Sequence, residues 1–296
     1  MSSVMSKPRV IFDRSAFHGA SFDELIQSPL LRLSRVRHIS VYHTASLIEE
    51  TASLYLKERN HDVLRKQLSF ILDICNERWL RPTEGLWVKE LVERDDQKRV
   101  VFVPDSEREE MESILRKMAF ENFIDQAYLD QIRIEKKEIK QRSKRLHDVL
   151  VKMRDDVAQK ISKVGVKPSK KSSFEHFAKE NLNDFGCDIL TRHLKVRPDI
   201  VSAMCQRWIE NKIRYPYVTA FMTGMLYGAY YAMAEPNQKV DINTQMDIEQ
   251  LSYMVGVDII VSNEQKFMKA AFDTLWSPHG KRYMTTNEFV SFIDSM

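Results

Sequence analysis

The stretch Asp258-Ile259-Ile260-Val261-Ser262-Asn263-Glu264 decides the fold class that this sequence predicts. Its Ile-Ile-Val run is short, wholly apolar and bounded by polar residues, which is typical of a strand buried on both faces of a parallel sheet. Helices are predicted on either side, over Asp241–Val255 and Lys266–Trp276. A strand over Arg282–Met284 and a capping box over Thr285–Glu288 follow. The order helix, strand, helix, strand predicts an α/β fold with a parallel sheet.

The N-terminal residues continue this pattern. Arg9-Val10-Ile11-Phe12 is a second apolar run, and it ends at Asp13. A further extended segment is predicted over His38–Tyr42, followed by a helix that Thr44 caps. Functional groups of an open parallel sheet gather just beyond the carboxyl ends of its strands. We therefore expect Asp13 and Glu264, which follow two of these strands, to lie at one edge of the sheet.

Two more acids are expected at that edge because of the helices that carry them. Asp247 lies on the helix that leads into the Ile-Ile-Val strand. On the helix after His38–Tyr42, Glu50 flanks the apolar face of the helical wheel, whereas Glu49 points away from it. The sequence therefore predicts a carboxylate cluster made of Asp13, Glu50, Asp247 and Glu264.

At these residues the sequence resembles the PIN-domain nucleases. The family pattern opens with a strand ending in Asp-x-Ser/Thr, matched by Asp13-Arg14-Ser15, and continues with a helix bearing a metal-facing Glu, here in residues 44–50. Near its end it has a helix with an Asp, then a strand and a Thr-Asn-Asp-like turn, matched by residues 247–264. A strand and a helix start like Thr-Pro-Glu-Glu-Phe close the pattern, here at residues 283–289. Several spacings agree at once in the C-terminal match, so it is the more specific one.

The resemblance covers only the two ends of the chain. We expect a PIN-like nuclease core from residues 1–60 and 236–296, with a large all-α insertion over residues 61–235. The middle is far longer than in a compact PIN domain, and Gly165–Ser173 is its best linker candidate. The insertion is also the predicted surface for a protein partner or for self-association.

Two departures from the family pattern concern the site. Glu264 stands where Asp is usual, and its longer side chain would move a bound ion. Glu90 stays open beside Glu50 as the second acid, if the helices are ordered differently.

The resemblance implies a Mg²⁺ or Mn²⁺ ion bound by Asp13, Glu50, Asp247 and Glu264 as metal and catalytic residues. These hard ions take oxygen ligands, polarise phosphoryl oxygens and generate hydroxide from bound water. Crowded carboxylates without a cation would raise one another's pKa. The implied function is a metal-dependent endoribonuclease, with a toxin or defence effector as one setting for it. The alternatives are an inactive PIN-like module that binds nucleic acid or protein, and a nuclease directed at DNA.

The charge distribution agrees with a nucleic-acid partner. The net charge is only +3, but residues 131–171 hold 14 Lys or Arg against 5 Asp or Glu, a local charge of +9. This basic arm, from Arg133 to Lys171, is predicted to hold RNA through its phosphates. The alternative is a solvated helix face, because charge runs are common on exposed helices.

Other sequence features exclude several classes of protein. No Gly-rich phosphate loop or nucleophile elbow is present. Cys75, Cys187 and Cys205 fit no zinc spacing, so free thiols in a cytoplasmic protein are expected. The first residues lack the apolar run of a signal peptide. Tyr215–Ala234 is uncharged and about as long as a membrane span, but its Tyr, Thr and Gly content predicts a buried helix instead.

Overall fold

Four short strands make one fully parallel sheet, of order β2-β1-β3-β4, in the computed structural model of the chain. The structure describes residues 7–57, 61–77, 79–93, 102–121, 123–164, 174–194, 196–234 and 242–296. The strands are β1 (Arg9–Phe12), β2 (Ser40–Val41), β3 (Ile259–Val261) and β4 (Arg282–Met284). The parallel sheet that the strand and helix pattern predicts is therefore confirmed.

Thirteen α-helices surround this sheet within the described ranges. They are α1 (Ala20–Gln27), α2 (Leu30–Arg35), α3 (Ala45–Ser53), α4 (His61–Ile74), α5 (Thr83–Glu93), α6 (Asp105–Phe120), α7 (Gln126–Val164), α8 (Phe174–His193), α9 (Pro198–Glu210), α10 (Pro216–Ala234), α11 (Thr244–Ser252), α12 (Phe267–Leu275) and α13 (Thr286–Asp294). The chain is thus mostly helical, in an α/β arrangement.

Both faces of the two central strands, β1 and β3, are apolar because each face is covered by a hydrophobic core. In the register of β1 and β3, Val10 pairs with Ile259 and Phe12 with Val261. These four side chains enter one hydrophobic core, while Ile11 and its partner from β3 enter the other. Side chains alternate between the faces of a strand, so a sheet covered on both sides needs apolar residues at every position.

Helices from residues 61–234 share these two cores with the chain ends. Helices α4 and α6 pack into the core that contains Val10, beside α1, α2 and α13. Helices α5, α8, α9 and α10 pack into the core that contains Ile11, beside α11 and α12. The expected domain border near residue 236 and the linker candidate Gly165–Ser173 lie outside the described residues. The division into a core and an insertion stays a prediction.

Nearly all of the uncharged stretch Tyr215–Ala234 lies in α10, and its length is close to that of a membrane span. None of the described helices has the length and apolar character that a bilayer crossing needs. Gly224 and Gly228 of α10 have GxxxG spacing, and both glycines pack closely against α11. A Cβ atom added at Gly224 would lie 2.7 Å from Cγ2 of Ile248, and one at Gly228 would lie 3.3 Å from its Cδ1. Small residues there allow the two helices to approach.

The spacing of apolar residues predicts a helix over His61–Leu80, but α4 ends at Ile74. The residues that follow serve the edge of the sheet. The side chain of Asn76 accepts a bond from Val41 N at 2.7 Å and donates to the carbonyl oxygens of Ser34 and Ile39, each at 2.7 Å. This side chain thus satisfies one backbone group of edge strand β2 and two carbonyl groups of the segment that precedes it.

The three cysteines are free thiols, as predicted. Cys75 donates to the carbonyl oxygen of Glu77 at 3.2 Å, and burial raises the pKa of its thiol to about 12. The nucleophilic thiolate form of Cys75 is therefore scarce near neutral pH.

His43 makes the fold sensitive to acid. The ring is fully buried, with its centroid 6.0 Å from that of Trp79. Burial lowers the pKa of His43 to about 4, against the weaker opposite effect of nearby backbone carbonyls of Ile71 and Tyr42. Protons then bind the unfolded chain more tightly than the folded one. The contribution of neutral His43 to the free energy of unfolding is therefore fully present above about pH 6.5 and is lost as the pH falls towards 4.

We expect wild-type protein to lose about 2 kcal/mol more than His43→Leu when the pH falls from 7 to 5. The variant keeps a buried apolar side chain there but has no proton to bind. Urea unfolding of both proteins at the two pH values measures this difference. An equal loss in both proteins would place the acid sensitivity at other groups.

Candidate functional site

Asp13 lies at the carboxyl end of β1, in the middle of the sheet. Its backbone N donates to the carbonyl oxygen of Val261 at 2.9 Å, which continues the ladder to β3. Its carboxylate accepts bonds from Ser15 N at 3.1 Å, from Ser262 Oγ at 3.0 Å and from the hydroxyl of Ser15. Hydroxyls from the ends of two adjacent strands thus fix the orientation of this carboxylate.

Asn263 joins the ends of the two central strands to α13. Its backbone N donates to Ser15 Oγ at 2.9 Å. Its side-chain nitrogen donates to Ser15 O, Ser21 Oγ and Thr286 Oγ1 at 3.2, 3.0 and 3.0 Å, and its side-chain oxygen accepts from Thr286 N at 3.0 Å. Asn263 and Ser15 therefore hold the edge of the sheet together around Asp13.

Glu264 lies at the predicted edge, but its carboxylate already has partners. One oxygen accepts from Lys266 N at 2.8 Å and the other from Met268 N at 2.9 Å. These amides belong to the start of α12, where backbone N–H groups have no partner within the helix. Glu264 is thus a cap of α12 in this arrangement, whether or not it also contacts an ion.

Tyr283 of β4 contacts the residue that follows the turn after β3, Glu264. Its hydroxyl donates to the carbonyl oxygen of Glu264. Burial raises the pKa of this hydroxyl, and the negative charges of Asp13, Glu264 and Asp247 act in the same direction. The charges of three of the four predicted acids therefore act on one phenol. No sequence motif marks Tyr283, although its place on the strand next to β3 is a usable signal.

Glu50 of α3 is half-buried, and its charge interacts with that of Asp13. Burial raises the pKa of Glu50 to about 7, and the Asp13 charge adds to this shift, while Lys136 and Arg14 oppose it. The Arg14 guanidinium is held beside these acids by bonds to Phe17 O at 3.0 Å and Gln67 Oε1 at 2.8 Å. The acid that the helical wheel favoured is thus the one whose charge interacts with Asp13.

Glu49 is less solvated than the helical wheel suggested. Burial raises its pKa to about 7, with Glu135 of α7, Glu50 and Glu249 of α11 acting in the same direction. The wheel considered one helix alone, and in the structure α7 packs against α3 and α11. The charge of Glu49 thus interacts with acids of α7 and α11 as well as with Glu50.

Two other acids are engaged elsewhere. Glu90, the alternative to Glu50, accepts from the backbone N atoms of Tyr217 and Val218 at 2.9 and 3.0 Å, and so caps α10. Asp258 precedes β3 at the opposite edge of the sheet. It pairs there with Arg9 at 2.9 Å and with Lys281 at 3.5 Å.

The arrangement falls short of a closed metal cage. Among the residues with described side chains, no three His, Cys, Asp or Glu groups converge so that they could hold one ion. Asp13 and Glu50 are half-buried and interact through their charges, and the charges of Asp13, Asp247 and Glu264 all act on Tyr283. We call the region of these four acids the acidic edge. Mg²⁺ is often bound by only one or two carboxylates, with water and substrate phosphate completing its shell.

Comparison with known proteins adds no relative. No protein-family model matches the chain, and no match was found among curated proteins or among solved structures.

Proposed function

We propose that this chain is a PIN-like, metal-dependent endoribonuclease that works at the acidic edge. The observation that carries the proposal is the position of Asp13, at the carboxyl end of a central parallel strand. The charge of Glu50 interacts with that of Asp13, and the charges of Asp13, Asp247 and Glu264 all act on Tyr283 of the adjacent strand β4. Parallel sheets bind ligands beyond the carboxyl ends of their strands.

The donor set suits a hard divalent cation. Asp13 and Glu50 supply carboxylate oxygens, which Mg²⁺ and Mn²⁺ prefer. Burial and the Asp13 charge raise the pKa of Glu50 to about 7 although Lys136 and Arg14 oppose this shift, so a further positive charge would stabilise the ionised pair. Asp247 and Glu264 would complete the donor set, and Glu264 only by giving up bonds to α12.

Such an ion would polarise a phosphodiester and lower the pKa of a bound water. The chain's own residues keep the acids in place for that chemistry. Ser15 and Ser262 fix the rotamer of Asp13, and Asn263 locks the two strand ends together. Arg14 provides a fixed positive charge beside Asp13 and Glu50. RNA is proposed as the substrate from the resemblance to PIN nucleases and from the basic arm, which lies largely on α7.

Metal binding and cleavage are tested together on the wild-type protein. We expect calorimetry to detect Mn²⁺ binding, and a fluorescently labelled single-stranded RNA to be cut when Mn²⁺ or Mg²⁺ is present. EDTA should stop cleavage and added Mn²⁺ should restore it, because the ion is part of the site. A DNA strand of the same sequence, run in parallel, determines which nucleic acid is preferred. Absence of both Mn²⁺ binding and cleavage would refute the proposal.

A PIN-like module without catalytic activity is the second candidate. It is favoured by the engagement of Glu264 in the α12 cap and by the lack of three converging ligands among the described side chains. Such a protein would bind nucleic acid or another protein and leave RNA intact. RNA binding by wild-type protein with no Mn²⁺ binding and no cleavage would favour this candidate.

A further inference from the structure

Lys136 reaches the acidic edge from the long helix α7. Its ammonium donates to the hydroxyl of Ser53, the last residue of α3. Ser53 Oγ in turn donates to the carbonyl oxygen of Glu50 at 2.7 Å. The ammonium is therefore anchored to the turn of α3 that carries Glu50, although Lys136 is 83 positions away from Ser53 along the chain.

The Lys136 ammonium is half-buried among other charged groups. Burial lowers its pKa, the positive charge of Lys57 adds to this shift, and the charges of Glu50 and Glu49 oppose it. Lysine side chains usually keep the ammonium in water. Here the ammonium is half-buried beside an acidic edge, at a cost in hydration that a solvated surface lysine does not have.

Lys136 is also the inner member of a basic stripe on α7. At 100° per residue, Arg133, Lys137, Lys140 and Lys144 lie within about 100° of Lys136 on one side of the helix. All four are exposed, whereas Lys136 is half-buried. Within this stretch Glu135 lies on another side, where its charge acts on Glu49. The stripe thus runs from solvent to the neighbourhood of Glu50.

We propose that Lys136 is a substrate-positioning residue, which holds an RNA phosphate beside Glu50 at the inner end of the stripe formed by Arg133, Lys137, Lys140 and Lys144. The assignment of RNA rests on the proposed function. Lysine binds phosphate as a point charge with three donors, so the ammonium can keep its bond to Ser53 while it contacts a phosphate oxygen. A backbone contact of this kind gives affinity and position without sequence preference.

The test measures RNA binding in EDTA, where cleavage does not interfere. Anisotropy of a labelled 12-nucleotide single strand is followed over a series of salt concentrations for wild type, Lys136→Met, Lys136→Arg and Lys179→Met. We expect Lys136→Met to bind roughly tenfold more weakly at low salt, with a salt slope shallower by about 0.7, the value for one phosphate contact. Lys136→Arg should restore the slope, and Lys179→Met, at an exposed lysine of α8, should behave as wild type.

The outcomes test the role of Lys136 separately from the proposed nuclease activity. A Lys136→Met protein with wild-type affinity and slope overturns the inference, and so does a wild-type protein that does not bind RNA. Weaker binding with an unchanged slope also overturns it, because a merely structural lysine would act in that way. If the slope depends on Lys136 but wild type cuts no RNA in Mn²⁺, the inference stands and the nuclease proposal fails.

Discussion

Replacing Asp13 with Asn is expected to reduce Mn²⁺-dependent RNA cleavage by roughly 10³-fold while RNA binding is retained. The amide oxygen can still accept the bond from Ser262, so the strand ends stay joined. It lacks the negative charge that would hold a cation next to Glu50. Initial cleavage rates and Mn²⁺ calorimetry on the same protein samples measure the effect.

A matched control tests whether the loss of any carboxylate would reduce cleavage. Glu107→Gln removes one exposed negative charge on α6 and should leave the cleavage rate unchanged. Asp247→Asn should also abolish cleavage. Cleavage that survives both Asp13→Asn and Asp247→Asn would mean that the acidic edge is not the catalytic site.

Gly186→Ala is expected to destabilise the protein by about 2 kcal/mol, because the added methyl group has no room. A Cβ atom at Gly186 of α8 would lie 2.2 Å from Cη2 and 2.4 Å from Cζ3 of Trp208. Trp208 is fully buried, and its indole N–H donates to Thr219 Oγ1 at 3.0 Å. The ring therefore has little freedom to move away.

Gly85→Ala is the matched control for that substitution. Gly85 lies within α5, and a Cβ atom there would meet no other atom within 4 Å. Alanine is the better helix former, so this variant should gain about 0.5–1 kcal/mol. Urea denaturation midpoints at unchanged slope measure both effects. A Gly186→Ala protein as stable as Gly85→Ala would show that α8 and α9 are less tightly packed than the structure indicates.

The sequence was sufficient to predict those parts of the fold that local patterns encode. The runs at Val10–Phe12 and Ile259–Val261 are apolar at every position because both faces are buried. The capping box at Thr285–Glu288 is also as predicted. Asp13 and Glu264 follow strands that are adjacent, so their meeting at one edge follows from the parallel topology.

The rest of the site depends on how distant helices cross. No local pattern places Lys136 beside Glu50, because that contact arises where α7 packs against α3. Glu49 was expected to point away from the apolar face, but α7 and α11 face it there. The role of Glu264 as a cap is different, since an acid just before a helix is a local signal. The family pattern instead predicts a metal ligand at this position.

The pairing of β1 with β3 determines when the acidic edge can form during synthesis. Asp13 and its partner Ser262 are 249 positions apart. At typical rates of translation, about 10–50 s separate the synthesis of these two residues. A nascent chain that lacks Ser262 and Asn263 has no completed edge around Asp13. If the proposed nuclease activity exists, a ribosome-bound chain would therefore be inactive towards RNA until Ser262 and Asn263 have been synthesised and have left the ribosome.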